Sequence, residues 1–162
     1  DARHRATANP LKAGSAATVR IGGPAGPAAE RIVLALIHDG AGRYLAARRP
    51  TTQRSGGCWE LPGGHREAGE DDRRALAREV REELGAELLS ARPFLFWTAD
   101  AAGRVLDLRC YRCRLHDPRR VRPLASDGLG WFAPAAFADL DFPAANAPFL
   151  KRFRAYHRLG AG

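Results

Sequence analysis

Three glutamates, Glu79, Glu82 and Glu83, stand at i, i+3 and i+4. On a helix this spacing gathers their carboxylates on one face within reach of each other. They sit beside the apolar arc of Leu76, Val80 and Leu84, which would turn toward a core. Like charges so placed repel, so the face needs a cation. One solution is a solvated surface balanced by Arg78 and Arg81. The preceding residues favour another, because Gly63-Gly64 makes a sharp turn at which a backbone carbonyl can approach an ion. Hard divalent cations take carboxylate and carbonyl oxygens, and Mg2+ commonly bridges a few carboxylates to substrate phosphates. The cluster reads as a phosphate-handling metal site.

The elements that must position these groups follow from the pattern around them. A helix of about four turns is expected from Asp72 to Leu84, with Asp71 or Asp72 as its cap and Gly85 ending it in the left-handed conformation. Ile32 to Ile37 is an apolar run typical of a buried strand. Asp39-Gly40-Ala41-Gly42 turns the chain into a second strand around Tyr44–Arg48. A loop with Pro50, Gly56 and Gly57 then leads to Trp59-Glu60-Leu61-Pro62. Beyond the helix, Pro93–Ala99 and Val105–Leu115 read as strands joined at Ala101-Ala102-Gly103, and Trp131-Phe132 as a short strand. Asn146-Ala147-Pro148 starts a last helix that turns Phe149, Leu150 and Phe153 inward and Arg152, Arg154 and Arg158 outward. This order implies a mixed α/β layer fold. Residues 1–29, rich in Ala, Gly and Pro, read as a flexible tail, and residues 30–160 as the domain.

The 162 residues suit one domain of 45% hydrophobic and 27% charged composition. The longest aliphatic run ends at His38, far short of a membrane span, and the N-terminal stretch lacks an apolar signal region. Cys58, Cys110 and Cys113 are an odd set that suits a reducing cytoplasm. Cys110 and Cys113 are three apart in a strand-like run, so they point to opposite faces and make no metal knuckle. The net charge is +8, almost all of the positive charge being arginine, and it implies an anionic partner. That charge is uneven: residues 60–87 hold nine of the 18 acids with five arginines, so the segment is −4 and the rest +12. An acidic cluster in a cationic surround suits a metal-bound nucleotide better than a long nucleic acid or a membrane.

From Gly64 to Ala86 the chain resembles the Nudix box, G-x5-E-x7-R-E-U-x-E-E-x-G-U with U bulky and aliphatic. Its seven fixed identities are present as Gly64, Glu70, Arg78, Glu79, Glu82, Glu83 and Gly85; Val80 fills the first U, and Ala86 is small for the last. The resemblance implies an α/β/α sandwich around a mixed sheet and hydrolysis of a nucleoside diphosphate linked to another group. It implies that Glu79, Glu82 and Glu83, with the Gly63 carbonyl, hold Mg2+ or Mn2+, and that Glu79 activates water. Arg78 and Glu70 would position the loop against the helix.

Outside the box the chain is most similar to the MutT-like branch. Trp59-Glu60-Leu61-Pro62-Gly63-Gly64 resembles its W-E-F-P-G-G lead-in, and Arg49 and Arg54 stand where substrate contacts are expected. Asp141-Phe142-Pro143-Ala144-Ala145-Asn146 resembles the segment whose asparagine reads an oxidised purine. An asparagine amide offers an acceptor and donors together, matching the O6 acceptor and N7–H donor of 8-oxoguanine but not the two acceptors of guanine. The plainer role for Asn146 is to cap the last helix. At Ala125 the branch has a further metal-binding glutamate, and Asp127 is the nearest carboxylate that could replace it. The expected substrate is 8-oxo-dGTP or a related (d)NTP; the alternatives are CTP/dCTP or another nucleoside diphosphate derivative, or a non-catalytic nucleotide-binding module.

Overall fold

A computed structural model describes residues 18–21, 26, 28–53, 56–101 and 103–160. Strand β2 (Glu30–Ile37) lies at the heart of the larger sheet. It pairs parallel with β7 (Arg104–Leu115) and antiparallel with β5 (Gly63–His65). Outside β7 come β6 (Leu88–Ala101) and then β1 (Thr18–Ile21), giving the order β1-β6-β7-β2-β5. A second, three-stranded sheet has β3 (Tyr44–Arg48) between β4 (Trp59–Glu60) and β8 (Gly128–Phe132).

The two faces of β2 explain the layers. Ile32, Leu34 and Leu36 join one buried cluster, while Val33, Ala35 and Ile37 join another. The second cluster receives Ala75, Leu76, Val80 and Leu84 of α1 (Asp72–Leu84). The first receives Phe137 of α2 (Pro134–Ala138) and Phe149 and Phe153 of α3 (Ala147–Tyr156). A strand with both faces buried reads as a continuous apolar run. Cys110 and Cys113 of β7 fall into opposite clusters, as period-2 alternation demands. Burial raises both thiols above the ordinary range, Cys113 to about 12.

Several boundaries differ from the sequence pattern. The expected tail includes β1, whose Thr18–Ile21 backbone pairs antiparallel with Trp97–Asp100; residues 1–17 lie outside the described residues. β6 begins at Leu88 rather than Pro93, and its register against β7 shifts between Pro93 and Leu95. Proline lacks a ladder donor, so a bulge lets the strand run through it. Gly103, with φ at 74°, makes the turn into β7.

Candidate functional site

The chain from β5 through α1 forms one unit because its local signals agree. Asp71 caps α1, its carboxylate accepting from the Arg74 N–H at 2.8 Å, and Gly85 closes the helix at φ 63°. Gly63 has φ 152°, and a Cβ there would overlap the Val33 carbonyl oxygen. A Cβ on Gly64 would fall on the carboxylate of Glu79. The paired glycines therefore let β5 lie against β2 while Glu79 lies against β5.

Arg78 is the hub of this unit. It grips Glu70 in bidentate fashion, Nε–H donating to Oε1 at 2.7 Å and Nη2 to Oε2 at 3.0 Å. Nη2 also donates to the His65 carbonyl at 2.9 Å, fastening α1 to the end of β5. Nη1 donates to Glu79 Oε1 at 2.9 Å and to Glu82 Oε2 at 3.5 Å. One guanidinium thus offsets part of the repulsion on the acidic face. Glu70 in turn accepts from the Glu67 N–H at 3.0 Å, closing the loop before the helix. The Arg78 hydrogen bonds hold the Glu70 carboxyl below its ordinary pKa, outweighing the opposing effect of burial. This anchor is complete above the usual glutamate range and is lost as pH falls through the lowered value.

Glu79 is largely enclosed, with its side chain 12% exposed, whereas Glu82 is half-exposed at 50%. Among the described residues, no three acid, histidine or cysteine side chains are drawn together closely enough to hold a metal ion. The donor set nevertheless suits a hard divalent cation in kind: carboxylates on one helical face, with Glu79 accommodated by a glycine that has no Cβ.

Asp127, the candidate replacement for the loop glutamate missing at Ala125, is tied to the chain that follows β3. Its carboxylate accepts the Thr51 N–H at 2.9 Å, and its own N–H donates to the Arg48 carbonyl at 3.0 Å. It therefore ties the loop that leads into β8 to the loop that follows β3, across 76 positions of sequence. Leu124 and Arg122 meanwhile donate their N–H groups to the Glu83 and Leu84 carbonyls at the end of α1. Replacing Asp127 by Ala removes one charge-assisted hydrogen bond, worth about 1.5 kcal/mol. The expected result is a rise in KM for nucleotide of about tenfold, with kcat and the Mg2+ requirement nearly unchanged. A collapse of kcat with an altered metal requirement would instead make Asp127 a ligand.

Of the remaining predicted residues, Leu61, with the Ala145 neighbour of Asn146, joins the cluster on the face of β2 opposite α1. Arg49 is only 6% exposed, and its N–H donates to the Cys58 carbonyl. The charges of Arg49, Glu60 and Asp141 all reach the Cys58 thiol, which burial and then Asp141 push above its usual pKa. Glu60 pairs with Ala47 across β3 and β4. Leu61 belongs to the buried cluster that holds Phe142 and Ala145. Pro62 is buried, and its carbonyl accepts the Ala35 N–H at 2.8 Å. Leu61 and Pro62 thus fasten the segment between β4 and β5 to the core and to β2. Arg54 lies outside the described residues.

Asn146 stands at the cap position of α3, yet its side chain makes no capping hydrogen bond. It is 4% exposed, and its Oδ1 is buried without a hydrogen-bond partner among the described residues. The adjacent Ala145 carbonyl accepts Trp97 Nε1–H at 3.0 Å, fixing this turn onto β6. An acceptor buried without a partner costs about 1–3 kcal/mol, which makes the amide an orphan that a ligand can satisfy.

Comparison with known proteins agrees with this arrangement. A CTP pyrophosphohydrolase of Escherichia coli (strain K12) is 32% identical over 126 residues, covering 76% of this chain and 90% of the relative. An 8-oxo-dGTP diphosphatase of Proteus vulgaris is 39% identical over 57 residues, 35% of this chain and 51% of that protein. A solved MutT structure, from work on the Aliivibrio salmonicida and Vibrio cholerae proteins, superposes with a TM-score of 0.65 at 28% identity. It covers 78% of this chain and 98% of that one. The NUDIX domain family profile matches residues 33–152, from the buried half of β2 into α3, taking in the Arg78 hub, the glycine pair and Asn146. With those residues held on a mixed sheet between helices, the chain belongs to the NUDIX domain family as a MutT-like Nudix hydrolase.

Proposed function

We propose that this hydrolase cleaves 8-oxo-dGTP or a related (d)NTP to the monophosphate and pyrophosphate, clearing it from the nucleotide pool. The observation that carries the reading is the Asn146 amide, buried at the head of α3 with Oδ1 unpartnered. Its Oδ1 accepts the N7–H that distinguishes 8-oxoguanine, while its NH2 donates to O6. Guanine offers an acceptor in place of that donor and leaves Oδ1 unpaired. The 8-oxo-dGTP diphosphatase among the relatives supports this assignment. Arg49 and Arg54 would supply positive charge toward the phosphates, with Glu60 fixed across from Ala47.

Glu79, Glu82, Glu83 and the Gly63 carbonyl would hold Mg2+ or Mn2+, which when bound neutralises phosphate oxygens and lowers the pKa of water. Glu79, enclosed beside Gly64, would take the proton from the attacking water. Arg78 and Glu70 hold the helix and loop in register while charge accumulates at the phosphates. Action on free nucleotides would suit the cytoplasm, a reading that the three free thiols support. No helix among the described residues is long and apolar enough to cross a membrane.

The test is Asn146→Ala, assayed against paired substrates with Mg2+. The ratio of kcat/KM for 8-oxo-dGTP over dGTP should fall by about 10–100-fold, the scale of losing a paired buried polar contact. An unchanged ratio would remove Asn146 from base reading. The longer match to a CTP pyrophosphohydrolase supports CTP or dCTP as the second reading. In that case the wild-type enzyme would favour these nucleotides in the same assay.

A further inference from the structure

Away from the carboxylate cluster, one surface holds several arginines without acids. The β6–β7 register sets Arg92 directly opposite Arg112, which puts both on one face of the sheet. Arg114 is two residues further along β7, on that same face. On α3, Arg152 lies over the Phe94 ring at 5.3 Å and the Tyr156 ring at 5.9 Å. Arg112 lies over Tyr156 at 5.8 Å, and the two rings meet edge to face at 5.6 Å.

The usual compensation for such crowding is missing. Arg31, Arg66, Arg78 and Arg109, on the α1 side, all reach carboxylates. Among the described residues none of Arg92, Arg112, Arg114 and Arg152 does. Arg112 Nε is buried with no hydrogen-bond partner. Its charge lowers the His157 pKa, after burial, and with Arg114 that of His38, where only Asp39 opposes. Like charges directly opposite across two strands destabilise a sheet. Ring faces hold the guanidiniums of Arg112 and Arg152 in place, and a guanidinium so fixed presents a fork matched to phosphate oxygens.

We propose that Arg92, Arg112 and Arg152 form a second anion site, where β6 and β7 meet α3, that takes a free polyphosphate. Three guanidiniums on two strands and a helix call for an anion with more than one phosphate group. A nucleic-acid strand is the poorer fit, since Phe94 is half-buried against Phe149 and Tyr156, which leaves Tyr156 as a single exposed ring where successive bases need several. Arg152 is six residues past Asn146, about 9 Å along the axis, and Tyr156, the ring under Arg112, is ten past it, about 15 Å, so these guanidiniums stand further along α3 than the Asn146 amide.

The test is calorimetric titration of the full chain with inorganic tripolyphosphate in EDTA, which keeps divalent metal from recruiting the anion to the carboxylates. The wild type should bind, and the double variant Arg112→Gln/Arg152→Gln should bind about tenfold or more weakly. Its kcat/KM for nucleotide in Mg2+ should be unchanged. Arg119→Gln/Arg120→Gln, the same charge change elsewhere, should leave tripolyphosphate affinity within about twofold. Arg92→Gln and Arg152→Gln, both at exposed positions, give single-variant tests that do not depend on Arg112→Gln folding. Equal weakening in the control pair, no wild-type binding, or tighter binding of a single-stranded oligothymidylate would each overturn the proposal.

Discussion

Replacing Glu82 by Gln is expected to lower Mg2+-dependent kcat on the order of 10³-fold while leaving the fold intact. The substitution keeps the shape of the side chain and removes its charge. Glu82 is half-exposed, and its contact with Arg78 is a long 3.5 Å, so stability has little to lose there. Thermal unfolding should therefore stay within about 0.5 kcal/mol of the wild type, as for most surface changes. Arg78 keeps its bidentate hold on Glu70 and its bond to the His65 carbonyl. The loss then reports the chemistry of the acidic face. Activity surviving the change would contradict a catalytic role for that face.

The glycine pair yields the second large effect, with the two positions failing differently. At Gly64, an added Cβ would meet Glu79 Cδ at 2.7 Å and Oε2 at 3.0 Å. Those atoms end a flexible side chain, so Glu79 can swing away and the protein should still fold. Its carboxylate is then displaced from the place where it would act, and Gly64→Ala should lose about 10²-fold or more in kcat. At Gly63, φ is 152° and the obstacle is the Val33 backbone, which cannot yield without breaking the β2–β5 pairing. Gly63→Ala should thus lower stability by several kcal/mol, an order-of-magnitude expectation for backbone strain and lost pairing. Unfolding curves beside kinetics separate the cases. Wild-type kinetics for Gly64→Ala would show that the position of Glu79 does not matter.

The carboxylate helix was legible because everything that makes it is local. Its cap, its apolar arc, its acidic spacing and its terminal glycine lie within Asp71–Gly85, and the structure shows α1 over Asp72–Leu84. The apolar run of β2 was equally plain, since both faces are buried. What escaped was set by distant partners. β1 is only four residues, Thr-Val-Arg-Ile, and is seen only through its pairing with β6. The short β5 is a Gly-Gly-His segment whose strand character comes from lying beside β2. Asp127 was the nearest spare carboxylate in sequence, but its bond to Thr51 spans 76 positions. Asn146 had two readings in sequence, as a helix cap and as a reader of bases. The tertiary environment bears on the first alone: the capping bond is absent and the amide is enclosed, which leaves base reading to the Asn146→Ala assay.

The most direct test of the account is product analysis after incubation of the wild-type protein with 8-oxo-dGTP and Mg2+. Chromatography should show the nucleoside monophosphate and pyrophosphate in equal amounts, with formation stopped by EDTA. Release of inorganic phosphate with the nucleoside diphosphate, or turnover that persists in EDTA, would contradict it.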